Sequence, residues 1–235
     1  MKIFKTIIKK VLAKFNLGIY AITDGKNKWD NLPDDFALSI NSLAAINEWY
    51  SKDKHVNDYL SNDRIIFYNE LISLAVKRGI IFKNKTILDV GCGSGALLNE
   101  INKKYHDCDL TGIDLSRTAI EYARKKMPGI LFEVKDIFQS STEKKYDIIF
   151  CTEVLEHLLN PALASKKLLN LMPDDGILIL TVPNGRKDNF IGHINFWSPE
   201  SWPLFLNDQL PSCEIKTLTM ENNNTNLAFI AKKRA

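Results

Sequence analysis

The sequence contains no C-x-x-C pair, and its four cysteines, Cys92, Cys108, Cys151 and Cys213, show no metal-ligand spacing. Free thiols acting as small hydrophobes in a reducing cytosol are the simplest expectation. No acidic residue precedes Asp24, and Lys5, Lys9, Lys10 and Lys14 interrupt the apolar residues at the start. A continuous signal-peptide core and a bilayer-spanning segment are therefore not expected there. A strong basic stripe is also missing. The pairs Lys125-Lys126, Lys144-Lys145 and Lys166-Lys167 are scattered, and the net charge is only +3. Nucleic acid is not an expected partner on that basis. No internal repeat is visible.

What is present suits one main domain with small additions: 235 residues, 45% of them hydrophobic and 25% charged,. Residues 2–16 place Ile3, Phe4, Ile7, Ile8, Val11, Leu12 and Phe15 on one apolar stripe, with the lysines elsewhere,. The spacing predicts a basic amphipathic helix within residues 1–23. Such a helix suits an anionic membrane surface, each lysine contributing about 1 kcal/mol near it. Packing on its own domain or on a second subunit is the competing expectation, and the oligomeric state stays open. The chain is expected to be cytoplasmic, peripheral on the inner face of the membrane if the helix binds there. Residues 24–82 read as a linker and helical cap, with a helix from Asn62 to Arg78, capped by Ser61 or Asn62 and ended by Gly79,.

From residue 83 onward strands and helices alternate. Expected strands are Thr86–Val90, Leu110–Ile113, Leu131–Val134, Tyr146–Cys151 and Ile177–Val182. Helices are expected at Ala96–Lys104, Arg117–Lys126, Ala162–Leu171 and Ser198–Leu206, and a closing hairpin at Glu214–Met220 and Leu227–Lys232. This order predicts an α/β, doubly wound, mostly parallel seven-stranded sheet. Helices cover both faces, the last strand is antiparallel, and a helical extension precedes the sheet.

Ligands of such sheets bind beyond the carboxyl ends of the strands. The segment Leu88–Gly95, LDVGCGSG, lies there. Gly91, Gly93 and Gly95 permit a tight turn and close backbone approach. The loop alone also satisfies a relaxed dinucleotide pattern. Asp89 precedes the first glycine, Asp114 ends the second strand, Asp136 follows the third within EVKDI, and CTEVLEHL runs from Cys151 to Leu158 after the fourth. Singly, each aspartate also suits a helix cap or a turn.

Together these motifs resemble the class I S-adenosylmethionine-dependent methyltransferases, with a core like the ubiquinone-pathway O-methyltransferases and methyltransferase types 11, 12 and 23. The resemblance covers residues 85–184 closely and the final hairpin more loosely. It implies S-adenosylmethionine as cofactor, with Asp89, Gly91, Cys92, Gly93 and Gly95 along the methionine portion. Asp114 would bind the ribose, Leu115 would pack on the adenine, Asp136 and Ile137 would hold its edge, and Thr152 and Glu153 would complete the pocket. The E-x-x-E-H spacing of Glu153, Glu156 and His157, with a later His193, is similar to that of metal-dependent O-methyltransferases. It implies Mg²⁺, Mn²⁺ or Zn²⁺ on Glu153, Glu156, His157 and His193. Alternatively His157 or His193, with Glu153, acts as a catalytic acid–base group, or the histidines are structural. His55 and His106 receive no role.

Trp49, Tyr50, Tyr59, Phe196, Trp197 and Trp202 are candidate aromatic walls of an acceptor lid. The acceptor expected first is a small or lipid-linked molecule methylated on oxygen, such as a surface-polysaccharide sugar. A quinone or phenol, an RNA ribose, an amine, and a cofactor-binding but inactive module remain as alternatives. An NAD-dependent dehydrogenase would leave Asp89 and Asp136 without a task.

Overall fold

A computed structural model describes residues 41–52, 61–139, 144–222 and 224–233. The predicted helix within residues 1–23, the linker at 24–35, His55 and Tyr59 lie outside the described residues.

Two helices precede the sheet: α1 (Leu43–Ser51), capped by the Ser42 side chain, and α2 (Asn62–Lys77), whose first turn is capped by Ser61. Then follow β1 (Thr86–Val90), α3 (Ala96–Lys104), β2 (Asp109–Asp114), α4 (Arg117–Lys126), β3 (Leu131–Val134) and β4 (Ile148–Thr152). A 3₁₀ turn (Leu155–His157), α5 (Pro161–Asn170), β5 (Ile177–Pro183), α6 (Ser201–Gln209), β6 (Cys213–Met220) and β7 (Thr225–Lys232) complete the order. The seven strands form one sheet in the order β3-β2-β1-β4-β5-β7-β6. β7 runs antiparallel to β5 and to β6, whereas the pairs among β1 to β5 are parallel. This is the doubly wound sheet expected from the sequence.

Side-chain alternation builds the two hydrophobic layers. In β4, Ile148 and Phe150 join Phe67, Leu71 and Leu97 on one face, while Ile149 and Cys151 join Leu168, Trp202 and Leu206 on the other. Buried on both faces, such strands read as continuous apolar runs. Trp197 and Trp202 belong to the second layer, at 8% and 1% exposure, so the expectation that they wall an acceptor lid is corrected. Their rings pack at 5.3 Å beside Phe205 instead. No helix among the described residues is long and apolar enough to cross a membrane.

Element ends shift where side chains compete with the ladder. β4 starts at Ile148 rather than Tyr146, because Asp147 turns to cap β1. Its Oδ2 accepts from the Thr86 amide at 2.8 Å and the Thr86 hydroxyl at 2.7 Å, and Lys85 Nζ lies 3.1 Å from Oδ1. Likewise α6 starts at Ser201 rather than Ser198, since the Ser198 amide donates to Ser201 Oγ (2.8 Å) in a side-chain-closed turn.

Burial pushes the Asp147 carboxyl up, but the hydrogen bonds from Thr86 and Lys85 and the Lys85 charge outweigh it and hold the pKa below the usual range. A depressed native pKa adds stability that is present above the unfolded value of about 3.9 and lost as pH falls through the native one. Asp147→Asn should cost about 1 kcal/mol at pH 7, a partly exposed charge-assisted contact being worth no more. Urea unfolding at pH 7 and pH 3 checks this, since the difference from wild type should shrink at the lower pH.

Candidate functional site

The carboxyl ends of β1, β2 and β4 open onto a cavity of about 810 Å³. Its floor is the glycine loop after β1. Gly91 and Cys92 donate their amides to the Ile113 carbonyl of β2 at 2.8 and 3.1 Å, folding the loop back over the sheet edge. Gly91 sits at φ 73°, and a Cβ there would lie 2.3 Å from Val154 Cγ2. Gly93 sits at φ 50°, where a Cβ would lie 2.6 Å from the Tyr50 hydroxyl. Both positions combine left-handed backbone with a side-chain contact that would have to shift to admit a Cβ,. Gly95 is the left-handed N-cap of α3.

Asp89, on β1, is 1% exposed, and its Oδ1 has no hydrogen-bond partner among the described residues. Burial first, then the Asp114 charge, pushes its pKa well above the usual range. Asp114 ends β2 and accepts from the Gly93 amide (2.9 Å) and the Ser116 amide (2.8 Å). Burial raises its pKa against those amides. Leu115, Asp136 and Ile137 also line the cavity, and Asp136 Oδ1 accepts from the Phe138 amide at 2.8 Å to set its turn. Cys92 is a buried thiol, its pKa raised by burial and then by Asp89 and Asp114, which makes it a poor nucleophile,.

After β4 the chain turns sharply. Thr152 is buried, and Glu153 stands at φ 55°, a strained conformation for a non-glycine residue,. Its amide donates to the Thr181 carbonyl (3.1 Å), and its Oε1 accepts from the Thr181 hydroxyl (3.0 Å). The turn delivers Glu156 and His157 on the 3₁₀ segment, opposite His193. These three offer one ligating atom each, all within 4.8 Å of one another. Glu153 stands outside that group, held by Thr181. Glu156 is 1% exposed, with neither carboxyl oxygen hydrogen-bonded among the described residues. Burial, then the Glu153 charge, pushes its pKa well above the usual range. Burial, then His193, pulls His157 down to about 4, so its imidazole is neutral.

Residues 62–209, more than half of the chain, match the family model described as a methyltransferase domain. The chain belongs to that family. Two curated relatives of the chain are named for different chemistry. It is 34% identical over 115 residues to the (S)-coclaurine N-methyltransferase of Papaver somniferum (47% of this chain, 33% of the relative). It is 32% identical over 114 residues to the ubiquinone biosynthesis O-methyltransferase of Coxiella burnetii (46% and 48%). Matched segments thus span less than half of these relatives. Among solved structures, the N-methyltransferase NodS of Bradyrhizobium japonicum, in complex with S-adenosylhomocysteine, has a TM-score of 0.65 at 19% identity, covering 83% of this chain and 100% of that one. That similarity establishes the fold.

Several residues of the site were not singled out from the sequence. Helix α1 lies across the cavity. Asn47 Oδ1 accepts from the Ser116 hydroxyl at 3.0 Å, Asn41 Nδ2 donates to the Gly192 carbonyl at 2.7 Å, and Trp49 meets Phe190 edge-on at 6.3 Å. Trp49 and Tyr50 line the cavity, as expected of lid residues, and Phe190 lines it too. Phe196 is half-exposed, its ring 6.5 Å from that of His193. Asn41, Asn47, Asp188 and Phe190 fall in stretches without motif spacing, so only the folded chain brings Asn41 and Phe190 to the cavity and sets Asn47 against Ser116 and Asp188 against His193. His106 is exposed and away from it.

Gly91→Ala should destabilise the fold by about 1–2 kcal/mol through left-handed backbone, plus the overlap with Val154. Adding Val154→Ala should recover the overlap but not the backbone cost. Thermal unfolding of both variants checks this, and full recovery by Val154→Ala would show that the loop backbone carries no strain.

Proposed function

We propose that this protein transfers the methyl group of S-adenosylmethionine to a hydroxyl oxygen of a small or lipid-linked acceptor, with a divalent cation at Glu156, His157 and His193. The observation that carries the reading is the cluster's hydrogen-bond chemistry. His157 Nδ1 faces two acceptors, the Gly192 carbonyl and Asn41 Oδ1, both at 3.1 Å, and His193 Nδ1 faces Asp188 Oδ2 at 2.5 Å. In a neutral ring each Nδ1 then carries the proton, and each Nε2 keeps a lone pair. Between them stands a carboxyl group with no donor. His193 Nε2 lies 3.9 Å from Glu156 Oε1, too far to hydrogen-bond and less than twice a metal–ligand distance of about 2.0–2.2 Å,. Buried acceptors converging without a donor suit a cation, and two imidazoles favour Zn²⁺ over Mg²⁺ or Mn²⁺.

The cofactor fits the rest of the cavity. Asp89, buried with an unpartnered oxygen, suits the cationic amino group of the methionine portion, along Gly91, Cys92, Gly93 and Gly95. Asp114 keeps lone pairs for ribose hydroxyls beyond its two amide bonds, while Leu115, Asp136 and Ile137 border the adenine. Thr152 and Glu153 close the pocket toward the acceptor. When bound, the sulfonium supplies an activated methyl and the cation makes a nearby hydroxyl more acidic. The protein aligns the acceptor, excludes water under α1 and holds His157 neutral,.

A surface-polysaccharide sugar is the acceptor class we favour, its lipid-linked form resting on the basic stripe of residues 2–16. A cytoplasmic site on the inner face of the membrane follows from the same stripe. An amine acceptor is the second reading, supported by the similarity to the poppy N-methyltransferase.

Transfer of radiolabelled methyl to saccharide, phenolic and amine acceptors, with EDTA and after Zn²⁺ or Mn²⁺ is restored, tests the reaction. Loss with EDTA and recovery with metal on a hydroxyl acceptor is expected, and EDTA-insensitive transfer to an amine would favour the second reading. Asp114→Ala should weaken S-adenosylhomocysteine binding by about 1.5–3 kcal/mol, one charge-assisted hydrogen bond. Calorimetry checks it, and unchanged affinity would remove Asp114 from the ribose site.

A further inference from the structure

His193 reaches the cluster from a loop with no helix or strand of its own, so something must fix its ring. The loop from Asn184 to His193 is closed by its own bonds. The Asp188 amide donates to the Asn184 carbonyl at 3.0 Å, and the His193 amide to the Phe190 carbonyl at 3.1 Å. Asp188 Oδ1 accepts from the Phe190 amide at 3.1 Å, which leaves Oδ2 for His193 Nδ1 at 2.5 Å. Both side chains are nearly buried, at 9% and 11% exposure. One carboxyl group thus ties the backbone turn to the imidazole.

We propose that Asp188 is the positioning residue of this site: it locks His193 in the Nδ1–H tautomer and turns the Nε2 lone pair toward Glu156. A carboxylate opposite a ligating imidazole fixes its tautomer and raises its basicity, and loss of such a partner typically weakens metal affinity 10- to 100-fold. His157 has only a carbonyl and an amide oxygen in the equivalent place. The charged partner therefore belongs to His193 alone among the described residues of the cluster. The inference rests on the proposed function for the metal, but not for the tautomer.

The test uses the full chain. Nitrogen-15 NMR of the imidazoles should show His193 of the metal-free wild type as the Nδ1–H tautomer. Asp188→Asn presents an amide that can donate to Nδ1, so it should shift His193 toward the Nε2–H tautomer. In the same variant calorimetry should show Zn²⁺ affinity 10- to 100-fold weaker, with S-adenosylhomocysteine affinity unchanged. A wild-type His193 found as the Nε2–H tautomer would overturn the proposal without any variant, as would an Asp188→Asn protein with wild-type tautomer and wild-type Zn²⁺ affinity. If the wild type binds no Zn²⁺ yet shows the expected tautomer and its shift, the cation reading fails while the positioning role stands.

Discussion

The constraint on which the rest of the structure depends is the burial of negative charge at one edge of the sheet. Asp89, Asp114, Glu153 and Glu156 all lie beyond or at the carboxyl ends of β1, β2 and β4, and burial raises the pKa of each. Placing carboxyl groups so deep costs stability unless they are neutralised. A fold built for stability alone would put apolar side chains there. Each carboxyl group instead faces the cavity that a positively charged sulfonium and, on our reading, a divalent cation would enter. A cationic ligand in that cavity would favour the ionised form of these carboxyl groups.

The surrounding backbone is shaped to keep that edge open on one side and closed on the other. Glycines in left-handed conformation bring the loop after β1 against Val154 and Tyr50, which would have to shift to admit a side chain. Glu153 accepts a strained φ so that the chain can turn at once from β4 into the segment carrying Glu156 and His157. Above them α1 contributes no buried residue of its own and is attached through Asn41 and Asn47 to the two halves of the cavity.

The sheet was legible in the sequence because its strands are uninterrupted apolar runs at regular spacing. The cavity at the carboxyl ends of the strands was legible because its aspartates recur at strand ends around the glycine loop. Element ends were less so: Asp147 and Ser198 moved them through side-chain bonds that periodicity does not encode. Trp197 and Trp202 were expected at a lid and lie in the core, since an aromatic residue looks alike in either place until its neighbours are known. The grouping of Glu156, His157 and His193 was half legible. Glu156 and His157 follow from their spacing, and His193 joins them, but Glu153 is taken up by Thr181. Asp188 carried no signal at all, because its role exists only once the loop has folded.

The central claim is that Glu156, His157 and His193 form one cation site beside the cofactor. The most direct measurement is a calorimetric titration of Zn²⁺ into the metal-free, S-adenosylhomocysteine-saturated protein, repeated with His193→Ala. A single site that is lost or strongly weakened in the variant is the predicted result. An absence of binding in the wild type, or binding indifferent to His193, would contradict it.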